Sequence, residues 1–85
     1  MDVRQKIAAF LEKRFLIDFG TKVTDSTDLF VQGYIDSFGF IELVEFLEKE
    51  FGIELTQDEI MSRSLNSLEQ IESMIISRKQ KNQAK

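Results

Sequence analysis

Cysteine, histidine and proline are all absent from the 85-residue sequence. The absence of cysteine excludes disulfides, thiolate metal sites and thiol nucleophiles. The absence of histidine removes the commonest general base and the commonest zinc ligand. No apolar run approaches the ~20 residues that a membrane-spanning helix needs, and the N-terminus lacks the pattern of a secretory signal. We therefore expect a cytoplasmic protein with no membrane span and with few routes to catalysis of its own.

Acidic residues outnumber basic ones, and they are concentrated in the middle of the chain. The net charge is −4, and residues 21–60 contain ten acidic and only two basic residues. An acidic block of this kind argues against nucleic acid as a ligand and suits partners with basic surfaces. A merely solvated acidic face is the alternative, which composition alone would favour.

Apolar residues recur at helical spacing along much of the chain. The spacing predicts a first helix over residues 2–16 and a second, stronger one over residues 37–51. Asp2 is a candidate N-cap or first-turn acid of the first helix, and Gly20 is a stop signal a little beyond its end. Gly52 is the glycine expected just after the second helix.

The last third of the sequence predicts one short helix and one longer helix. Thr56 followed three residues later by Glu59 is a capping-box pattern, and little apolar sequence follows it, so we expect a short third helix. Asn66 or Ser67 is suited to cap the final helix. Residues 79–85 lack apolar anchors, so we expect a frayed tail there.

These elements predict an all-α fold, a four-helix bundle with three main helices, one short third helix and a long first loop. The first loop, residues 20–36, is long for a compact domain, but apolar residues return near its end, so we expect it to be pinned across the core. Residues 1–85 are expected to form one domain with an ordered core of about residues 3–78. Seven phenylalanines are expected mainly in the core, with a groove that shelters an acyl chain as the alternative; they are Phe10, Phe15, Phe19, Phe30, Phe40, Phe46 and Phe51.

The junction between the first loop and the second helix holds Asp36, Ser37 and Phe38. A serine or aspartate at a helix start is most often an ordinary N-cap. Three neighbouring features favour a functional serine: a large apolar residue follows it, the helix beyond alternates acidic and apolar residues, and the loop before it is apolar enough to be anchored. A phosphate attached to a serine here would be stabilised by backbone N–H groups and by the helix dipole.

Ser37 is poorly suited to act as a nucleophile in its own right. A catalytic serine needs a base and usually oxyanion donors, and the sequence has no histidine. The flanking residues Ile35 and Gly39 do not form a G-x-S-x-G elbow, and no P-loop or dinucleotide motif is present. We therefore expect that the chain is not an enzyme.

The segment Asp36-Ser37-Phe38, the acidic helix that follows it and the stretch Gly52-Ile-Glu-Leu55 together resemble the acyl carrier protein family. That family carries an Asp-Ser-apolar motif at the start of its second helix, within an acidic four-helix domain of about this length and with a long first loop. The resemblance covers about residues 3–78. The motif is short, and its specificity comes from its placement among these elements.

The resemblance implies that Ser37 receives 4′-phosphopantetheine from coenzyme A through the action of a separate phosphopantetheinyl transferase. The arm would end in a thiol that carries an acyl or aminoacyl group as a thioester. The implied partners are that transferase, an acyl or aminoacyl ligase, and a downstream transferase or synthase with a basic docking surface. A monomer is expected.

The resemblance also assigns roles to residues near the serine. Asp36 matches the acid of the motif. Phe38 and Ile41 match apolar partner contacts. Glu42 and Glu48 match acids that meet basic partner surfaces. Glu45 stands where fatty acid carriers often have an apolar contact residue.

Some positions depart from the pattern of fatty acid synthesis carriers. Gly39 replaces an acid, Lys49 interrupts the acidic row, and the approach from Asp28 to Asp36 is longer than usual. These features are more similar to D-alanyl carriers and other specialised stand-alone carriers. Two alternatives stay open: a housekeeping fatty acid carrier, and an unmodified helical interaction module in which Ser37 is only a cap.

Overall fold

The computed structural model describes residues 2–20, 22–61 and 65–83, and this part of the chain is helical. The helices are α1 (Val3–Phe15), α2 (Ser37–Phe51), α3 (Gln57–Met61) and α4 (Leu68–Gln83). The described residues include no strand, and an isolated bridge joins Phe19 to Val23 in the first loop. The predicted all-α architecture of three main helices, one short third helix and a long first loop is confirmed.

Helix α1 begins with a capping box and ends at an unusual leucine. Asp2 is the N-cap: its carboxylate accepts a 2.7 Å hydrogen bond from the Gln5 N–H, and the Gln5 side chain accepts one from the Asp2 N–H. The helix ends at Phe15 because Leu16 adopts the left-handed conformation, with φ of 56°. The end of the helix agrees with the predicted range of residues 2–16, but Leu16 and not Gly20 terminates it; Gly20 lies in a later turn, where its N–H donates to the Val23 carbonyl.

The first loop is held across the core, as predicted. Four of its apolar side chains are buried: Ile17, Val23, Leu29 and Ile35. The Leu29 N–H donates to the Asn66 carbonyl at 2.8 Å, and the Leu29 carbonyl accepts from the N–H groups of Tyr34 and Ile35. These bonds join the loop to the segment before α4 and fix the backbone that leads into α2.

Helix α3 has only five residues, and contacts outside it hold it in place. The predicted capping box is present, because Thr56 Oγ1 accepts from the Glu59 N–H at 3.1 Å and Glu59 Oε1 accepts from the Thr56 N–H at 2.8 Å. Arg78 of α4 donates to Glu59 Oε1 and to the Glu54 carbonyl, both at 2.6 Å. A helix too short to be stable alone is thereby tied to α4.

Of the two candidate caps for α4, Ser67 makes the capping bond. Its buried hydroxyl accepts from the Gln70 N–H at 3.2 Å, while the Asn66 amide donates to Asp28 in the first loop. Helix α4 extends to Gln83, into the stretch for which a frayed tail was predicted, and lysine and glutamine are good helix formers; fraying of this stretch stays a prediction. Residues 84 and 85 of the predicted tail lie outside the described residues.

The core is aliphatic, with the phenylalanines arranged around it. The fully buried side chains are leucines, isoleucines and one valine; they include Ile7 and Leu11 of α1, Leu43 and Leu47 of α2, and Leu68, Ile71 and Ile75 of α4. The seven phenylalanines predicted for the core are only partly buried and pack against its edge. None of the helices in the described part of the chain is both long and apolar enough to cross a membrane.

Candidate functional site

The start of α2 separates the capping residue from the exposed serine. Asp36 is the N-cap, and its Oδ1 accepts from the Gly39 N–H at 2.8 Å, while its carbonyl accepts from the Phe40 N–H. Ser37 is the first residue of the helix and is exposed. The capping alternative therefore applies to Asp36, and Ser37 takes no part in it. The Ser37 hydroxyl stands where a helix N-terminus favours an attached anion.

Ser37 has no histidine to deprotonate it, because the sequence contains none. The nearest acid in sequence, Asp36, has one carboxylate oxygen engaged with the Gly39 N–H. Among the described residues, no group of three or more acidic side chains is placed to hold a metal ion. The arrangement offers an accessible hydroxyl at the first residue of α2.

Gly39 allows α1 to approach the first turn of α2. A Cβ atom at residue 39 would lie 2.5 Å from Phe15 Cε1, which is closer than such atoms can approach. The Phe15 ring is packed edge-on against Phe10, and Phe10 stacks on Phe46 of α2 with ring centroids 4.1 Å apart. The glycine that sets this chain apart from fatty acid carriers therefore has a packing role, since it makes room for an aromatic ring.

Two apolar side chains are exposed on the same side of α2 as Ser37. Phe38 is 79% exposed and Ile41 is 55% exposed. With Ser37 and Glu45 they form the outer face of α2, because these positions share one side of the helix. Beside this face lies an open groove of about 320 Å³, lined by Arg14, Phe15, Leu16, Gly33, Tyr34, Asp36 and Phe38. Two predicted apolar contact residues are thus exposed beside the serine.

Glu42, one of the predicted contact acids, is already paired within the chain. Arg14 Nε donates to Glu42 Oε2 at 2.9 Å, and Arg14 Nη2 donates to Glu42 Oε1. Both side chains remain nearly half exposed, at 47% and 43%. The hydrogen bond from Arg14 lowers the pKa of Glu42 below its ordinary value, and the same bond raises the pKa of Arg14. The pair links the end of α1 to the middle of α2.

The other two glutamates differ in their surroundings. Glu48 Oε2 accepts from the Leu55 N–H at 2.9 Å, so this carboxylate supports the connection between α2 and α3. Glu45 is exposed on the outer face of α2. The structure therefore places Glu45 in solvent, Glu42 in an ion pair and Glu48 in a backbone contact. Their part in recognition stays a prediction.

Two residues of the site were not singled out by sequence reasoning. Leu16 is 86% exposed in a left-handed conformation and lines the same groove as Phe38. The only signal for it was the excess of apolar residues just after α1, of which Ile17 is buried and Leu16 is not. Arg14 pairs with Glu42, which lies 28 residues further along the sequence, and no local sequence pattern predicts such a pairing.

Comparison with known proteins agrees with this geometry. Residues 3–75 match the family model described as the phosphopantetheine attachment site. A D-alanyl carrier protein of Streptococcus suis (strain 05ZYH33) is 32% identical over 76 residues, which cover 89% of this chain and 94% of that protein. No solved structure gives a significant match.

Proposed function

The chain belongs to the family of phosphopantetheine attachment sites, and from this membership we propose that Ser37 carries the prosthetic group. The cofactor of the chain is covalently bound 4′-phosphopantetheine, as expected. Proteins of this family are carriers and not catalysts, so the expectation that the chain is not an enzyme is also confirmed. The residue that carries the prosthetic group, the cargo and the docking surface for partners are proposals.

The assignment of Ser37 rests on one observation: Asp36 and Ser37 have separate roles at the start of α2. Asp36 caps the helix through the Gly39 N–H, which leaves the hydroxyl of Ser37 exposed. A phosphodiester at this oxygen would lie beside the first backbone N–H groups of α2, where negative charge is favoured by the helix dipole. The residues present therefore fit the group.

A separate transferase is proposed to attach the group and to supply the base, because the sequence contains no histidine. The Ser37 oxygen would form a bond to the phosphorus of the 4′-phosphopantetheine moiety as the pyrophosphate bond of coenzyme A breaks, with the nucleotide leaving and the hydroxyl proton passing to the transferase. The group supplies a thiol, which holds the cargo as a thioester. The part of this chain is to hold Ser37 exposed on a rigid helix end and to present the face around it.

The proposed cargo is an aminoacyl group, such as the D-alanyl group named for the relative from Streptococcus suis. The 32% identity to that relative supports this choice, together with Gly39 and the long approach from Asp28 to Asp36, which resemble D-alanyl carriers more than fatty acid carriers. The loading partner would then be an adenylating ligase, and a downstream transferase would accept the group. A cytoplasmic location, where coenzyme A is available, is proposed with it.

The proposed docking surface is the outer face of α2. Phe38 and Ile41 offer exposed apolar contacts, and Glu45 offers an exposed carboxylate. An apolar centre with acidic groups at its edge suits a partner surface with apolar pockets and basic residues. The interaction takes place around the serine, so a docked enzyme can reach the arm.

The proposal is tested by intact-mass spectrometry of the purified protein after incubation with coenzyme A, Mg²⁺ and a broad-specificity phosphopantetheinyl transferase. The wild type should gain about 340 Da, the mass that the arm adds, and Ser37→Ala should gain nothing. Ser26→Ala, which removes an exposed serine in the first loop, is the matched control and should be modified like the wild type. A wild type without mass gain would instead support the unmodified interaction module.

The cargo is tested on the modified protein. With ATP and an adenylating D-alanine ligase, the holo protein should gain the mass of one alanyl residue. Hydroxylamine, which cleaves thioesters, should remove that mass. Loading by a fatty acyl ligase together with failure of the D-alanine ligase would overturn the aminoacyl assignment and leave Ser37 as the attachment site.

A further inference from the structure

The ion pair between Arg14 and Glu42 lies at the edge of the proposed docking surface. Glu42 is one helical turn beyond Phe38, and Arg14 lines the groove beside Asp36 and Phe38. Arg14 makes two hydrogen bonds to the carboxylate, one from Nε and one from Nη2, in the geometry that gives arginine–carboxylate pairs their directionality. This pair stands within reach of any enzyme that docks on the outer face of α2.

Packing around Arg14 holds its guanidinium in this place. The group lies over the ring of Phe15, with 5.1 Å between the guanidinium carbon and the ring centroid. Phe15 in turn occupies the space that the absence of a side chain at Gly39 leaves open. The position of the cation is therefore set by an aromatic ring and a glycine of α2, in addition to the carboxylate that it meets.

The pair changes the charge that a partner meets. In the sequence, the acids around Ser37 indicate a docking surface of one sign. In the structure, Arg14 neutralises Glu42 and brings a cation next to Asp36, while Glu48 bonds to the backbone of Leu55. Glu45 remains as an exposed carboxylate on the outer face. Because both members of the Arg14–Glu42 pair are nearly half exposed, the pair contributes little to folding and can act through the charge it presents.

We propose that Arg14 weakens docking by a partner with a strongly basic surface, by pairing with Glu42 at the edge of the docking surface. The inference rests on the proposed function, and the partner to which it commits is a phosphopantetheinyl transferase with a basic docking surface. Charges at the rim of an interface act mainly on the association rate and its salt dependence. Removing the Arg14 charge would release Glu42 to attract that partner.

The test measures transfer of phosphopantetheine from coenzyme A to the full chain at low ionic strength. Arg14→Gln should raise kcat/KM roughly threefold to tenfold through a lower KM, and Glu42→Gln, which leaves Arg14 without that carboxylate, should lower it. The double variant should return toward the wild type, and Arg14→Lys, which keeps the charge, should stay near it. At 0.5 M salt the differences should shrink, because the Debye length falls to a few ångströms (about 4 Å).

Arg4→Gln is the matched control. Arg4 makes the same kind of two-bond contact with Asp25, at 3.0 and 2.7 Å, and is exposed to a similar degree, but the pair joins the start of α1 to the first loop. Arg4→Gln removes the same charge as Arg14→Gln and should leave KM unchanged. Equal effects of Arg14→Gln and Arg4→Gln would overturn the inference, because net charge would then explain the result. A fall in kcat/KM for Arg14→Gln would also overturn the inference, because it would show that the Arg14–Glu42 pair supports the structure of the docking surface. A wild type that is never modified overturns the proposed function itself.

Discussion

At the scale of single residues, the site depends on what residue 39 lacks. The first turn of α2 and the end of α1 approach so closely that a Cβ at residue 39 would overlap the Phe15 ring. The ring cannot move away easily, because it packs against Phe10 on one side and carries the guanidinium of Arg14 on the other. A glycine that lowers helix propensity thus allows close packing next to Ser37.

Gly39→Ala should destabilise the protein by about 1 kcal/mol, since overpacking costs roughly 1–3 kcal/mol and the gain in helix propensity returns up to about 1 kcal/mol. In a Phe15→Ala background the same change should cost less or become stabilising, because the overlap with the ring is gone and the closest remaining neighbour is Asp36 Oδ1 at 3.3 Å. Urea denaturation followed by circular dichroism measures all four proteins. A stabilising effect of Gly39→Ala in the wild-type background would contradict the packing role.

Residue roles were only partly predictable from the sequence. The exposure of Phe38 and Ile41 agrees with the apolar contacts that the resemblance assigned. Glu42 and Glu48 were expected to face partners, yet their carboxylates bond to Arg14 and to the Leu55 N–H. Such partners come from other elements, so hydrophobic periodicity and charge patterns do not reveal them. The same holds for the contact of Phe15 with Gly39.

At the scale of helices and loops, the ends of the elements decide where the serine stands. The bounds of α2 agree with the prediction because both ends carry local signals: Asp36 caps the start, and Gly52, with φ of 65°, ends the helix in the left-handed conformation. The end of α1 was less predictable, since Leu16 takes a conformation that normally favours glycine. Helix α3 follows its capping box but depends on Arg78 for its place.

The contacts of α3 predict a dependence of stability on pH. The pKa of Glu59 is lowered below its ordinary value of 4.5 by the Thr56 N–H and by Arg78. In the window below pH 4.5 the unfolded chain then binds more protons than the folded chain, so this contribution is complete above about pH 5 and is lost as the pH falls through the lowered pKa. Hydrogen bonds from Arg4 and Arg14 lower the pKa values of Asp25 and Glu42 in the same direction.

The free energy of unfolding should therefore fall between pH 5 and pH 2 in the wild type. Glu59→Gln should be less stable at pH 7 and should show a shallower fall, and Arg78→Gln, which removes one of the two causes, should be intermediate. Urea denaturation at a series of pH values measures this. An equal slope for the wild type and Glu59→Gln would show that the folded state does not favour the ionised form of Glu59.

At the scale of the whole molecule, the aliphatic core and the pinned first loop fix the backbone that leads to Asp36 and leave the Ser37 hydroxyl exposed. The sequence was enough for this outline, because the absence of histidine and cysteine and the order of helices are visible in it. The charge around Ser37 could not be predicted from the sequence, since it depends on ion pairs that form only in the folded chain.

The central claim, that Ser37 carries the prosthetic group, is tested most directly by locating the group within the modified protein. After reaction with coenzyme A and the transferase, the protein is digested and the peptides are fragmented by tandem mass spectrometry. The account predicts that the phosphopantetheine mass of about 340 Da is found only on the peptide that contains Asp36-Ser37-Phe38, and that fragments place it on Ser37. Attachment to any other serine, or a wild-type protein that stays unmodified, would contradict it.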